Sequence, residues 1–175
     1  MNQRLRLLAG LATTVALSGC VTPTHTAPPD VGAVPPAGTI TVSVGPCFGF
    51  CPVYEASIAP GGTVRFTGRR HTAVLRSRSI RADTMPFRRL ERDLAPFRPA
   101  AGTDVEVECT AAVSDTSSYT VVWTEASGTR TSATVQAGCP GGAGHTLGEI
   151  LRDVPTRLGI VEWSRQMMRP GASRG

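Results

Sequence analysis

The sequence predicts an α+β domain in which antiparallel β-hairpins form a sheet, packed with two or three helices and tied by disulfides. Three observations predict it. Apolar and polar residues alternate with period two in two blocks, Thr39 to Arg81 and Val105 to Ala137. Each block is followed by a stretch with apolar residues at helical spacing. The strands come in runs joined by glycine-containing turns instead of alternating singly with helices, which favours an antiparallel α+β arrangement over a parallel α/β one.

Thr39 to Val44 opens the first block, with Ile40, Val42 and Val44 on one face and threonines and a serine on the other. Val53 to Ala59 is the second strand. Pro60-Gly61-Gly62 supplies a turn able to take positive φ, and Thr63 to Gly68 returns with Val64 and Phe66 inward. Thr72 to Arg81 alternates more weakly, placing Arg76 and Arg78 on one face of a further strand or extended edge. Asp83 or Thr84 caps a helix that tolerates Pro86 in its first turn and repeats Phe87, Leu90, Leu94 and Phe97. Pro96 and Pro99 stop it. Arg88 with Glu91, and Arg89 with Asp93, have the spacing of helix-surface ion pairs.

In the second block Val105 and Val107 share the face of Cys109, and Tyr119, Val121 and Trp123 share one face of the next strand. Ser127-Gly128 makes the turn into Arg130 to Ala137, with Thr131, Ala133 and Val135 inward. A glycine-rich loop at Gly141, Gly142 and Gly144 precedes a helix striped by Leu147, Ile150, Leu151, Val154 and Leu158 and kinked at Pro155. Ile160, Trp163 and Met167 mark a short closing helix. Helices are expected to cover one face of the sheet.

Ahead of this domain, Arg4 and Arg6 precede an apolar stretch from Leu7 to Leu17, the layout of an export signal and too short to span a bilayer. Leu17-Ser18-Gly19-Cys20 resembles the lipobox of bacterial lipoproteins. The competing reading is a secretory signal with a chance cysteine at its cut. The resemblance implies a signal peptide over 1–19, cleavage before Cys20 and acylation of Cys20, palmitate included, so the chain would meet the membrane through its N-terminal lipid. Val21 after the cysteine, instead of Asp, implies by the same resemblance the outer membrane, facing the periplasm. Residues 20–38 then form a tether rich in Pro, Thr and Ala, able to reach roughly 50 Å at about 3.1 Å per residue. The domain occupies 39–168, and 169–175 is a disordered tail.

Four cysteines remain for an oxidising envelope, Cys47, Cys51, Cys109 and Cys139. Four allow three pairings, and sequence does not choose among them rigorously. The expected pairs are Cys47 with Cys51, which needs a tight turn to bring Cα atoms within about 7 Å, and Cys109 with Cys139, which flank a whole hairpin. Closing the longer loop is worth roughly 3 to 4 kcal/mol in the chain-entropy picture.

Cys47-Phe48-Gly49, Cys51-Pro52 and Tyr54, then Gly62-Thr63-Val64 and Gly68, resemble the domain of unknown function 6438 family of short bacterial proteins. The resemblance covers most of the chain after the tether, with its specific motif confined to the first hairpin. It implies the fold and an extracytoplasmic place, and it carries over no active site.

Composition narrows the function classes. All 18 Lys-plus-Arg positions are arginine, and loss of Arg4 and Arg6 with the signal lowers the formal charge from +5 to +3. Ten arginines between Arg65 and Arg98 face only Asp83, Glu91 and Asp93, a local net of +7. Arg76 and Arg78 are the candidate anion-binding surface, for lipopolysaccharide, anionic lipid or wall polymer, and the competing reading is a solvated arginine-rich surface. Nucleic acid is not expected in the envelope. Cys47 and Cys51 could instead act as a redox dithiol or hold Cu(I), yet a strand-to-strand turn lacks the helix N-terminus that lowers a thiol pKa. His145 and Glu149, four apart, make at best two of the three or four ligands a zinc site needs. The Gly141 to Gly144 loop matches no phosphate-binding pattern, and no nucleophile elbow or zinc-protease helix is found. The expectation is a non-enzymatic binding or structural domain without cofactor or metal; the alternative is a thiol redox or copper-handling lipoprotein.

Overall fold

In this computed structural model the described residues are 38–111 and 114–167. Cys20, the signal and tether before residue 38, and the 169–175 tail lie outside them. All described residues belong to the unit Val34–Gly175.

β1 (Thr39–Val44) lies in the middle of a seven-stranded sheet, hydrogen-bonded antiparallel to β2 (Val53–Ile58) on one side and β6 (Ser118–Thr124) on the other. Five of its six residues are buried, because neighbours flank both its edges and the helices cover its valines. β3 (Thr63–Arg70) and β4 (Arg76–Arg81) extend the sheet beyond β2, and β7 (Arg130–Gln136) extends it beyond β6. Alternation holds as the period-two pattern requires: Ile40, Val42, Ala56, Ile58, Val64, Phe66, Val121, Ala133 and Val135 are all at most 2% exposed, on one face. Ser57, Arg65, Thr67, Thr120 and Thr134 occupy the other face. The sheet is therefore sided, and one core lies between it and the helices.

That core is closed by α1 (Met85–Leu94), α2 (Gly142–Arg152) and two single-turn helices, α3 (Val154–Arg157) and α4 (Val161–Ser164). Thr84 is the N-cap residue of α1 but its side chain makes no cap bond, and the Asp83 carboxylate instead accepts the Met85 N–H at 2.7 Å. Phe87, Leu90 and Leu94 are buried, whereas Phe97 lies half-buried in a separate 3₁₀ turn that runs through Pro96.

The structure corrects the sequence reading in five places. The strand at Val105 is only three residues, β5 (Asp104–Glu106), and it pairs parallel to β7 at the sheet edge, where Val105 is 38% exposed. Only three residues pair, and the bonds that flank them, Ser132 Oγ to the Asp104 carboxylate at 2.6 Å and the Val107 N–H to the Thr134 carbonyl at 2.8 Å, help hold the edge. Pro155 lies in the first turn of a separate α3 instead of kinking one long helix, since its missing N–H is harmless there. Gly142 and Gly144 belong to α2 and not to a loop. Met167 is 45% exposed. Neither expected ion pair on α1 is present among the described residues; Arg157 and Arg92 take Asp93 from Arg89, and nothing in the structure explains the separation of Arg88 and Glu91.

Arg157 donates to Asp93 at 2.6 Å and to Asp153 at 3.0 Å, tying α3 to α1. The Arg157 hydrogen bond holds the Asp93 carboxyl below the usual carboxylate range. A depressed carboxyl pKa stabilises the fold above the unfolded-state pKa, and the effect is lost as pH falls through the folded value. Asp93→Asn should therefore cost about 0.5 to 1 kcal/mol at neutral pH, the range of a partly exposed pair, and converge with the parent in acid below the folded-state value. Urea titrations at both pH values check this; an equal loss at both would show that the charge is not what matters.

Candidate functional site

Both disulfides lie at one end of the sheet. β1, β3, β5 and β7 stop there while β2, β4 and β6 start, so the loops at 45–52 and 71–75, residues 107–111 and 114–117, and the segment leading into α2 share that pole. The opposite end holds the entry of the chain at Thr39 and the turns at Gly62 and Gly128.

Cys47 and Cys51 are bonded with Cα atoms 5.8 Å apart, and Cys109 and Cys139 with 5.5 Å. Both pairings agree with the sequence expectation. The first closes a five-residue ring that is held from four sides. The Gly49 N–H donates to the Cys47 carbonyl at 2.9 Å. His71 Nδ1 lies 3.0 Å from the Cys51 carbonyl, and its ring stacks on Phe50 with centroids 3.7 Å apart. Gln166 donates its side-chain N–H to the Phe50 carbonyl. Nothing comparable restrains Phe48, which points outward and is 89% exposed.

The motif residues around this ring have structural tasks. Tyr54 is buried against Phe66, and burial, with Tyr119 nearby, pushes its phenol far above its usual range. Gly68 is needed because a Cβ there would come within 1.8 Å of the Val74 carbonyl oxygen, where the 71–75 connection folds back on β3. A side chain at that position would push the connection off the strand. At the second disulfide Gly144 has the same role, since its Cβ would lie 2.7 Å from Cys139 Sγ and 2.8 Å from the Glu108 carbonyl oxygen. Gly144, within α2, therefore serves close packing of helix and disulfide.

The other expected candidates separate. His145 Nδ1 lies 3.0 Å from the Cys139 carbonyl and Glu149 pairs with Arg152 at 2.7 Å, so the two residues brace different neighbours. Among the described residues no group of three His, Cys, Asp or Glu side chains could hold a metal. Arg76 and Arg78 do share a face of β4, in register with Gly68 and Phe66, and Arg78 lies over the Trp163 ring at 6.0 Å. A groove between α1 and α3 is lined by Asp83, Arg89, Asp93, Asp153 and Arg157, and Arg157 bridges two of its three carboxylates.

The family described as Domain of unknown function (DUF6438) matches residues 38–154. The chain belongs to this family. No curated protein and no solved structure shows a significant match. The family match ends at the start of α3, so Trp163, Gln166 and Met167, which reach back to the Cys47–Cys51 pole, lie beyond it. Sequence reasoning named Phe48 only within the family motif and did not single out His71 or Gln166 at this pole. The available signal was the ring itself: two phenylalanines around one glycine in a five-residue loop cannot both turn inward.

The two disulfides should separate energetically. Replacing Cys109 and Cys139 together with serine should cost about 3 to 4 kcal/mol, against about 2 kcal/mol for Cys47 and Cys51, because the unfolded loops differ in length. Equilibrium unfolding of both double variants checks the order; a larger loss at the short loop would mean that the ring supports the core more than its length implies.

Proposed function

We propose that the chain is an envelope lipoprotein, cut before Cys20, acylated there and tethered to the outer membrane on its periplasmic side. Its α+β domain acts as a non-enzymatic binding module for an anionic envelope component, recognised by the β3–β4 edge.

One observation carries the binding part: charge is unevenly paired. Arg92, Arg98, Arg152, Arg157 and Arg165 each have a carboxylate partner. By contrast Arg65, Arg69, Arg70, Arg76, Arg78 and Arg81, all on β3 and β4, have no carboxylate partner among the described residues; Arg88, Arg89 and Arg130 also lack one but do not cluster on adjacent strands. Arg78 is oriented by the Trp163 ring and Arg81 by a 3.5 Å contact with Thr63 Oγ1. Six unneutralised guanidiniums on two adjacent strands make a local positive potential that attracts phosphate and carboxylate groups within a Debye length of about 8 Å. Arginine suits such a surface because its planar fork binds those anions bidentately.

Charge on an edge strand also discourages strand-to-strand aggregation. Reversing it separates the two roles, since glutamates at the same positions still repel copies of themselves but lose anions. Arg76→Glu with Arg78→Glu should abolish binding to lipopolysaccharide, anionic lipid and wall polymer in low salt, and the parent's binding should weaken steeply as salt rises. Pull-down or surface-resonance measurements check this, and binding indifferent to both salt and reversal would exclude that partner class. Metabolic palmitate labelling of the full chain, lost in Cys20→Ala, tests the anchor; an unlabelled parent would remove it.

A further inference from the structure

The large apolar side chains left exposed are not spread evenly. Among the described residues six are exposed, and three of them, Phe48 at 89%, Leu75 at 56% and Met167 at 45%, lie at the Cys47–Cys51 pole. Phe48 tips the ring. Leu75 ends the 71–75 connection, and the Met167 N–H donates to the His71 carbonyl at 2.9 Å, fixing the C-terminal segment beside that connection. Arg69, Arg70 and Arg76, which end β3 and begin β4, stand at the same end without a carboxylate partner. Of the charged residues nearby, Arg165 is paired with Glu162, while Glu108 and Asp115 belong to the β5–β6 side of the sheet. The pole is thus a set of convex apolar tips within a cationic collar.

The tips are also held in place. Disulfide, stack and hydrogen bonds fix the ring that carries Phe48, so little freedom remains to be lost on docking. His71 and Arg76, at the two ends of the connection, have positive φ of 57° and 118°, backbone states that ordinary residues adopt only when the surroundings impose them.

We propose that this pole docks on an anionic lipid bilayer, with Phe48 entering the boundary between headgroups and acyl chains. Leu75 and Met167 border it, and Arg69, Arg70 and Arg76 lie at phosphate level. Separate convex tips with cations between them match a soft anionic surface whose apolar interior begins a few ångströms down, the setting in which apolar burial and headgroup attraction add. The inference rests on the envelope placement for the presence of such a surface and is independent of Cys20. The chain enters at Thr39, at the other end of β1 and about 20 Å away by strand rise, so this contact is distinct from any N-terminal anchor.

Phe48→Trp in the full chain provides a local reporter. Its added emission should shift to the blue on vesicles of phosphatidylglycerol with phosphatidylcholine, and not on phosphatidylcholine alone. Brominated acyl chains should quench it, whereas the parent's Trp123 and Trp163 should not respond. Arg69→Glu with Arg70→Glu in that background should weaken the response more than about tenfold, at roughly a fivefold factor for each of the two lost headgroup contacts. Unchanged emission at position 48 would overturn the proposal even if vesicles capture the chain through its N-terminal apolar stretch, and so would an equal shift on neutral vesicles. Salt-sensitive binding through Arg76 and Arg78 without that shift would remove the bilayer contact and leave the edge-binding function standing.

Discussion

The pairing of β1 with strands on both sides is the constraint on which the rest of the structure depends. β2, β3 and β4 form one antiparallel run, β6 and β7 with the short β5 form another, and β1 alone joins them. Its partner β6 lies some seventy residues further along, so this junction closes late in the chain and at a large loop-closure cost. Ile40 and Val42 offset that cost by being almost wholly buried against the helices, where each apolar side chain is worth about 1.5 to 3 kcal/mol. Without β1 there would be two marginal hairpin sheets and no common core.

Sheet direction then sorts the molecule into two unlike ends. Hairpin turns and the chain entry gather at one, and the disulfides gather at the other, where crossing connections are longer and backbone pairing is poorest. Covalent ties are most useful at that end, because loops with few ladder hydrogen bonds keep the most unfolded-state freedom for a cross-link to remove. Most of the family's motif is accounted for in these terms: Cys47 and Cys51 close the ring, Tyr54 fills the core beneath it, and Gly68 allows the 71–75 connection to lie on β3. Phe48 is different, since it supports nothing inside the domain.

Much of this was legible in the sequence, where the physics is local. The alternation in Ile40 to Val44, Val64 to Phe66 and Tyr119 to Trp123 marks strands, and spacing marks α1. Both cysteine pairings were expected from the turn residues and the flanked hairpin, although sequence alone left three pairings open and the fold selects these two. What was not legible depends on contacts between distant segments. Val105 looks like a core strand residue, but only the fold shows that it pairs parallel to β7 at an edge. Gly144 reads as a flexible loop until the Cys139 sulfur is seen beside it. The ion-pair spacing of Arg89 and Asp93 is correct for a helix, yet Arg157, sixty-four residues away, wins Asp93. The pole around Phe48 was hidden for the same reason, because it is assembled from the ring, the 71–75 connection and a C-terminal segment beyond the family match.

Amide hydrogen exchange on the folded chain tests most directly whether β1 holds the two halves together. If it does, the amides of Ile40 to Val44 exchange only through global unfolding and are as slow as any in the protein, with the β2–β3 and β6–β7 pairs opening at or below that free energy. If β1 exchanges through a smaller opening while β2–β3 stays protected, the hairpin run is stable without it and the central role assigned to β1 is wrong.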